Sequence, residues 1–264
     1  MAASSWKTVG KERHDGLQHP PLRLPGESAD ERLRELREQF LELVIVPLGL
    51  SLMAAFELWH WFTGLPIDPW AIPAMALVSI GYAVMKGWPL VTEIRRLRLG
   101  LDGERSVGHT LESLREQGYR VFHDIAGDGF NIDHAIVGPA GIFTIETKTR
   151  SKMGGAYRIA YDGNTLRVGE GQPFEDPLDQ ARAQARWLAN LINEGRRTRV
   201  AVRPVVTFPE WYVERTARAA ADVWVVNPKE IAGFLRNERL ILSVEQIDAI
   251  AAVLTVYCRA AAQR

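Results

Sequence analysis

Two stretches near the start of this chain carry no charged residue, and a helix built from either has no polar face to turn toward water. Residues 43–56 are uncharged and continue, past Glu57, into Leu58-Trp-His-Trp-Phe62; residues 69–85 are uncharged and continue, past Lys86, into Gly87-Trp-Pro-Leu-Val91. Each block approaches the roughly 20 residues that cross a bilayer. Glu57 is costly at membrane depth but lies near the end of its block, where it reaches water, and Trp59, Trp61, Trp70 and Trp88 are placed like interfacial aromatics. The blocks read as a transmembrane helical hairpin. The alternative, a buried hairpin of a soluble domain, would put a polar stripe on each helix, and these blocks are apolar nearly all round.

Basic residues orient the hairpin. Arg32, Arg34 and Arg37 precede the first block and Lys86, Arg95, Arg96 and Arg98 follow the second, while Thr63-Gly-Leu-Pro-Ile-Asp68 between them has no Lys or Arg. The positive-inside rule then puts both ends in the cytoplasm, as a multi-pass protein of the cell membrane. Residues 1–26 are polar with prolines, unlike a cleavable signal peptide, and are expected to be disordered. Acids and arginines alternate over residues 31–42, a helical lead-in to the first span. The expected organisation is a disordered polar N-terminus over 1–30, a membrane hairpin with flanking basic helices over 31–99, and one domain over 100–264.

That domain shows its chemistry between Asn131 and Lys148. The runs 132–137 and 142–147 are rich in β-branched and aromatic residues, and Gly138-Pro-Ala-Gly141 between them supplies the turn of a hairpin. Side chains alternate along a strand, so Glu146 and Lys148 share one face with Ile142 and Thr144, while Phe143, Ile145 and Thr147 point the other way. Asp133 sits on the neighbouring strand and can approach Glu146 if the two pair antiparallel; sequence alone leaves the register open. Two carboxylates can hold Mg²⁺ or Mn²⁺, hard cations that favour oxygen ligands. Such a metal acts as a Lewis acid and generates a nucleophile, and Lys148 beside it would orient water or stabilise developing charge. That is the logic of phosphodiester hydrolysis. The bland alternative makes Asp133 and Glu146 solvated residues of an open sheet face, with Lys148 their ion-pair partner.

Flanking helices fit the same site. Val107, Leu111 and Leu114 recur at helical spacing, and Glu104 borders that stripe, either looking into the site or serving as a first-turn acid at a helix N-terminus. A second helix over about 177–193 would start with Asp176 as cap and Pro177 as its first residue, and Gln180, Gln184, Trp187 and Leu191 would form one stripe. A glutamine on such a stripe ordinarily satisfies a backbone group. Residues 119–125, 203–209 and 222–226 read as further strands, and 156–159 with 165–168 as a second hairpin around Tyr161-Asp-Gly163-Asn. Asn227-Pro-Lys-Glu230 is a capping box, and Ser243-Val-Glu-Gln246 opens a last helix with the stripe Ile247, Ile250, Leu254 and Tyr257. His109, His123 and His134 lack metal-ligand spacing and read as structural or incidental. Arg196, Arg197 and Arg199 form a basic loop that either touches phosphates or is a solvated surface.

From Gly100 to about Pro209 the chain resembles the NERD family, the nuclease-related domain, of the PD-(D/E)xK nuclease superfamily. The resemblance is carried by Gly100-Leu-Asp-Gly103-Glu104, by Ile132-Asp133, by Gly141-Ile-Phe-Thr-Ile-Glu146-Thr-Lys148 and by Asp176-Pro-Leu-Asp-Gln180, in the family's order. Thr147 departs from a common aliphatic, Asp176 from the usual Asn, and Thr149-Arg-Ser-Lys152 from an Asn-aromatic-x-Gly continuation. The resemblance implies an α/β fold with a restriction-endonuclease-like mixed sheet flanked by helices, preceded here by the transmembrane hairpin. It implies a site of Glu104, Asp133, Glu146, Lys148 and Gln180, with Mg²⁺ or Mn²⁺ held by Asp133 and Glu146. Gln180 would reach the active site or the phosphate backbone.

Composition bounds the partners. Lys and Arg number 32 and Asp and Glu 32, a formal net charge of zero that lacks the positive excess of a duplex-coating protein, so nucleic-acid affinity must be local. The single cysteine, Cys258, excludes an internal disulfide framework. The expected function is a membrane-anchored, metal-dependent nuclease whose partners are nucleic acid, DNA ahead of RNA, and the lipid bilayer. The competing expectation is a catalytically idle nucleic-acid-binding or signalling module that keeps the fold. A purely structural scaffold would require Asp133, Glu146 and Lys148 to be accidental.

Overall fold

The computed structural model describes residues 22–64, 70–150, 158–169, 171–194, 199–215 and 222–261. The expectations for residues 1–21, for Ser151 and Lys152, and for Arg196 and Arg197 lie outside the described residues. Two long helices come first, α1 (Glu27–Phe62, 36 residues) and α2 (Ala71–Glu112, 42 residues), packed as a hairpin. Each contains a window of mean hydropathy above 1.2 with only 11% of it buried, so both are long and apolar enough to cross a membrane. Phe62, Leu77, Val78 and Trp88 on these helices are each left more than 70% exposed.

Outside that apolar belt the hairpin is held by polar and small-residue contacts. Arg32 pairs with Glu93 at 3.6 Å and Arg105 with Asp30 at 3.1 Å. A Cβ on Gly87 would stand 3.4 to 3.5 Å from Phe40 and Leu43, so the helices approach closely there. The expected lead-in over residues 31–42 is the first part of α1. That helix starts at Glu27, and residues 22–26 pack against the domain instead of extending the polar N-terminus through residue 30.

α2 is unbroken through Gly100 and Gly103. The sequence suggested that a helix opens near Glu104, and this is corrected: Glu104 lies well inside a helix that has already run more than thirty residues. Gly103 and Gly108 are packing glycines. A Cβ on Gly103 would fall 2.1 Å from Thr149 Cγ2, and one on Gly108 2.4 Å from Pro25 Cγ. Because neither needs a positive φ, the helix continues across them and gains close contact.

The domain is built on a five-stranded sheet in the order β1-β2-β3-β6-β8. Strands β1 (Arg120–Ala126), β2 (Asn131–Gly138) and β3 (Gly141–Thr147) run antiparallel. β6 (Val202–Thr207) and β8 (Trp224–Val226) are parallel to β3 and to each other. Gly138 pairs with Gly141 across a two-residue turn, with Gly141 at φ 127, a conformation that excludes a side chain. Parallel pairing of β3 with β6 needs a crossover, supplied by α3 (Asp176–Asn193). Glu175 takes the cap position of α3 and Asp176 and Pro177 its first turn, one residue earlier than expected.

Alternation along β3 divides the core. Phe143 and Ile145 face Val107 and Leu111 of α2 and Leu235 of α4 (Ile231–Asn237). Ile142 faces Leu188 of α3, near Ile250 and Leu254 of α5 (Val244–Ala261). The sheet is thus a mixed α/β layer flanked by helices. Asn227 and Glu230 form the expected capping box ahead of α4. On α5 Cys258 joins Ile247, Ile250 and Leu254 in the buried stripe, and Tyr257 reaches the Ala126 carbonyl at 2.8 Å. A second sheet has the order β5-β4-β7, from β4 (Arg158–Tyr161), β5 (Leu166–Val168) and an unanticipated β7 (Tyr212–Arg215).

Candidate active site

The chemistry-bearing residues gather at the C-terminal end of β3. The β2–β3 register pairs His134 with Ile145, and one step further sets Asp133 across from Glu146. Asp133 Oδ2 accepts the Thr147 N–H at 2.7 Å, which holds it at the strand end. Glu146 is 2% exposed. The Lys148 N–H donates to the Thr207 carbonyl at 2.9 Å, so the main chain stays paired to β6 for one residue beyond the strand. Lys148 keeps the orientation of Glu146, and its Nζ lies 2.6 Å from Glu146 Oε1.

α3 closes the site from the other side. Lys148 Nζ donates to Gln180 Oε1 at 2.8 Å, so Gln180 meets the lysine. Gln184, one turn on, is fully buried and donates from Nε2 to Glu146 Oε2 at 2.5 Å and to the Asn131 carbonyl at 3.0 Å. Gln184 was legible only as a stripe residue expected to satisfy a backbone group. It does that, and it also holds the buried carboxylate. Its spacing to Gln180, four residues on one helical face, was the available signal.

Glu104 reaches the same cluster from α2. Burial, followed by the charges of Asp124 and Glu146, pushes its carboxyl up to about 7, against partial relief from Lys148 and Arg105. Burial also raises Asp133, with Glu146 and Glu104 adding repulsion and the Thr147 N–H opposing it. The acids crowd each other, and crowded carboxylates are relieved by a proton or a cation. Among the described residues no group of three or more His, Cys, Asp or Glu side chains is arranged to hold a metal ion. The pair Asp133 and Glu146 offers hard oxygen donors alone, a set that fits Mg²⁺, which is bound by one or two carboxylates and keeps its waters.

Two neighbouring features were not legible as part of this region. Asp124, buried and at φ 49, accepts from the N–H and hydroxyl of Ser28 and from Asn131 Nδ2. His123 and His134 pair with each other: their Nδ1 atoms lie 2.9 Å apart, and His123 Nε2 is 2.8 Å from Glu112 Oε1. Burial would raise Glu112, but hydrogen bonds from His123 and Arg115 bring it down to about 2. Burial also drives His134 well below the ordinary histidine value, so it is neutral.

Asp133 near the start of β2, beside Glu146 and Lys148 at the end of the central strand β3, gives the mixed sheet the layout of a nuclease-like α/β domain. Comparison with protein families agrees: residues 99–209, from the last turns of α2 to just past β6, match the model of the nuclease-related domain, NERD. No curated protein matches the chain. Among solved structures it is similar to SfsA of Pyrococcus furiosus in complex with Ca²⁺, at 14% identity and a TM-score of 0.25, over 47% of this chain and 55% of that one.

Proposed function

We propose that this protein is a membrane-anchored nuclease that hydrolyses phosphodiester bonds with Mg²⁺ or Mn²⁺. The observation that carries the reading is the convergence of Asp133, Glu146 and Lys148, with Gln180 on the lysine. Asp133 and Glu146 would hold the metal, which supplies Lewis acidity and an activated water. Lys148 would deliver positive charge to the scissile phosphate as it gains negative charge, with Gln180 steering the ammonium. Gln184 keeps Glu146 from rotating away. The apolar belts of α1 and α2 would lie in the bilayer, with both chain ends and the nuclease domain in the cytoplasm, so that nucleic acid, DNA before RNA, is met near the membrane.

A second reading, an idle module that binds nucleic acid without cutting it, draws on one observation. Both oxygens of Glu146 already carry protein donors, Lys148 on one and Gln184 on the other. The full chain in lipid nanodiscs separates the two. Cleavage of single-stranded, duplex or branched DNA or RNA should require divalent metal, and Glu146→Gln should lower it by about 10²-fold or more, with Lys148→Ala nearly as damaging. Nucleic-acid binding should survive both changes, since it rests on distributed phosphate contacts. A wild-type protein that binds all these substrates and cuts none establishes the idle module.

A further inference from the structure

The five residues ahead of α1 form a strap across the outer side of Glu104. Gly26, in the left-handed conformation at φ 69, packs so tightly that a Cβ there would stand 2.4 Å from Leu101 Cδ1 and 3.0 Å from Glu104 Oε2. Pro25 fills the space that a side chain on Gly108 would occupy. Glu104, partly buried, therefore has this strap against its carboxyl group, which the charges of Asp124 and Glu146 also reach. The strap is fastened at one point. Asp124 Oδ2 accepts the Ser28 N–H at 2.8 Å and the Ser28 hydroxyl at 2.7 Å, and Arg23 lies 3.4 Å from the same oxygen. Asn131 Nδ2 holds Oδ1 at 3.1 Å, tying the anchor to β2 two residues before Asp133.

A buried aspartate in a left-handed conformation is an unfavourable choice that surrounding contacts must enforce. Here those contacts come from Ser28 at the start of the first apolar helix, from Arg23 ahead of it and from Asn131 of β2. We propose that the Arg23 to Ser28 strap, seated on Asp124, is a wall of the catalytic site that holds Glu104 toward Asp133 and Glu146, making Asp124 and Gly26 positioning residues for cleavage. The proposal rests on the nuclease reading above. It makes the first leg of the hairpin part of the site, so that a domain begun at Gly100 would lack one wall.

The test uses the full chain in nanodiscs, with Gly26→Ala, Asp124→Asn and the milder Ser28→Ala, which keeps the backbone N–H bond. Turnover and Mg²⁺ affinity are measured on the folded fraction of each. Gly26→Ala sets a methyl 2.4 Å from Leu101 Cδ1 and 3.0 Å from Glu104 Oε2 at a φ that disfavours a side chain, so the strap must shift against Glu104, and the change should lower kcat at least tenfold and weaken Mg²⁺ binding, with KM for nucleic acid changed less than about twofold. Asp124→Asn should act in the same direction and Ser28→Ala less strongly, while Arg34→Ala, on an exposed face of α1, should change nothing. A strap with only a structural role would reduce the folded fraction and leave kcat and metal affinity of the remainder untouched; that result, in Ser28→Ala if the stronger variants do not fold, overturns the proposal. A wild-type protein that binds Mg²⁺ but cuts nothing retires the nuclease reading, and the wall then stands or falls on Mg²⁺ affinity alone.

Discussion

Replacing Glu104 by glutamine should make the metal-free protein more stable at pH 8 and leave it nearly unchanged at pH 5. In the unfolded chain this carboxyl ionises near 4.5, whereas in the folded protein burial and the charges of Asp124 and Glu146 hold its proton on until about 7. A raised carboxyl favours folding only while protonated, so stability falls as pH climbs from the lower value to the higher. The gap of about 2.5 units, at about 1.4 kcal/mol each, sets a ceiling of about 3 kcal/mol at pH 8. Asp133 shares the same repulsion and relaxes with it, so the measured gain should be somewhat smaller. Glutamine keeps the shape and removes the charge. At about 2 to 4 °C per kcal/mol for a domain of this size, thermal unfolding should show Glu104→Gln melting up to roughly 6 to 12 °C above wild type at pH 8. Added Mg²⁺ should narrow the difference by stabilising wild type more than the variant. A variant less stable than wild type at pH 8, or an equal difference at pH 5 and pH 8, would refute the crowded-carboxylate account.

Calorimetry should show Mg²⁺ or Mn²⁺ preferred over Zn²⁺, because the donors are all oxygen, and unchanged Mg²⁺ affinity in the Asp133→Ala, Glu146→Ala double variant would remove these residues as ligands. Gln184→Leu should destabilise the domain by about 2 to 4 kcal/mol, since it strips one donor from a buried carboxylate and one from the Asn131 carbonyl; a change under 1 kcal/mol by denaturant unfolding would show that Glu146 finds another donor. Reporter fusions at Gly64 and at the C-terminus should report opposite sides of the membrane, and a protein released by carbonate extraction would retire the anchored reading.

Local rules made part of this architecture legible. The β2–β3 hairpin followed from alternation and a Gly-Pro-Ala-Gly turn, and once its strands were placed, Glu146 and Lys148 had to share a face. Glu104 was legible as a helical acid beside an apolar stripe. Its helix was not: Gly103 is there for contact, letting Thr149 lie against the helix, and only the folded chain brings the two together. Gln184 looked like any glutamine on a half-buried stripe, since nothing local marks the carboxylate it will meet. The strap is the extreme case. Ser28 and Asp124 are 96 residues apart in the chain, and neither residue type announces a partner at that distance.

On the membrane-anchored reading proposed above, the unbroken course of α2 would also set an electrostatic stand-off. With the bilayer surface near Trp88, the sixteen residues to Glu104 lift the carboxylate cluster about 24 Å along the helix axis. The negative potential of an anionic leaflet decays over a Debye length of about 8 Å at physiological ionic strength, so some three such lengths separate it from the site. At that height the lipid's repulsion for a polyanion has fallen to roughly a twentieth of its surface value. On that reading a nucleic-acid strand would be engaged by the tethered domain without first being forced against a like-charged surface.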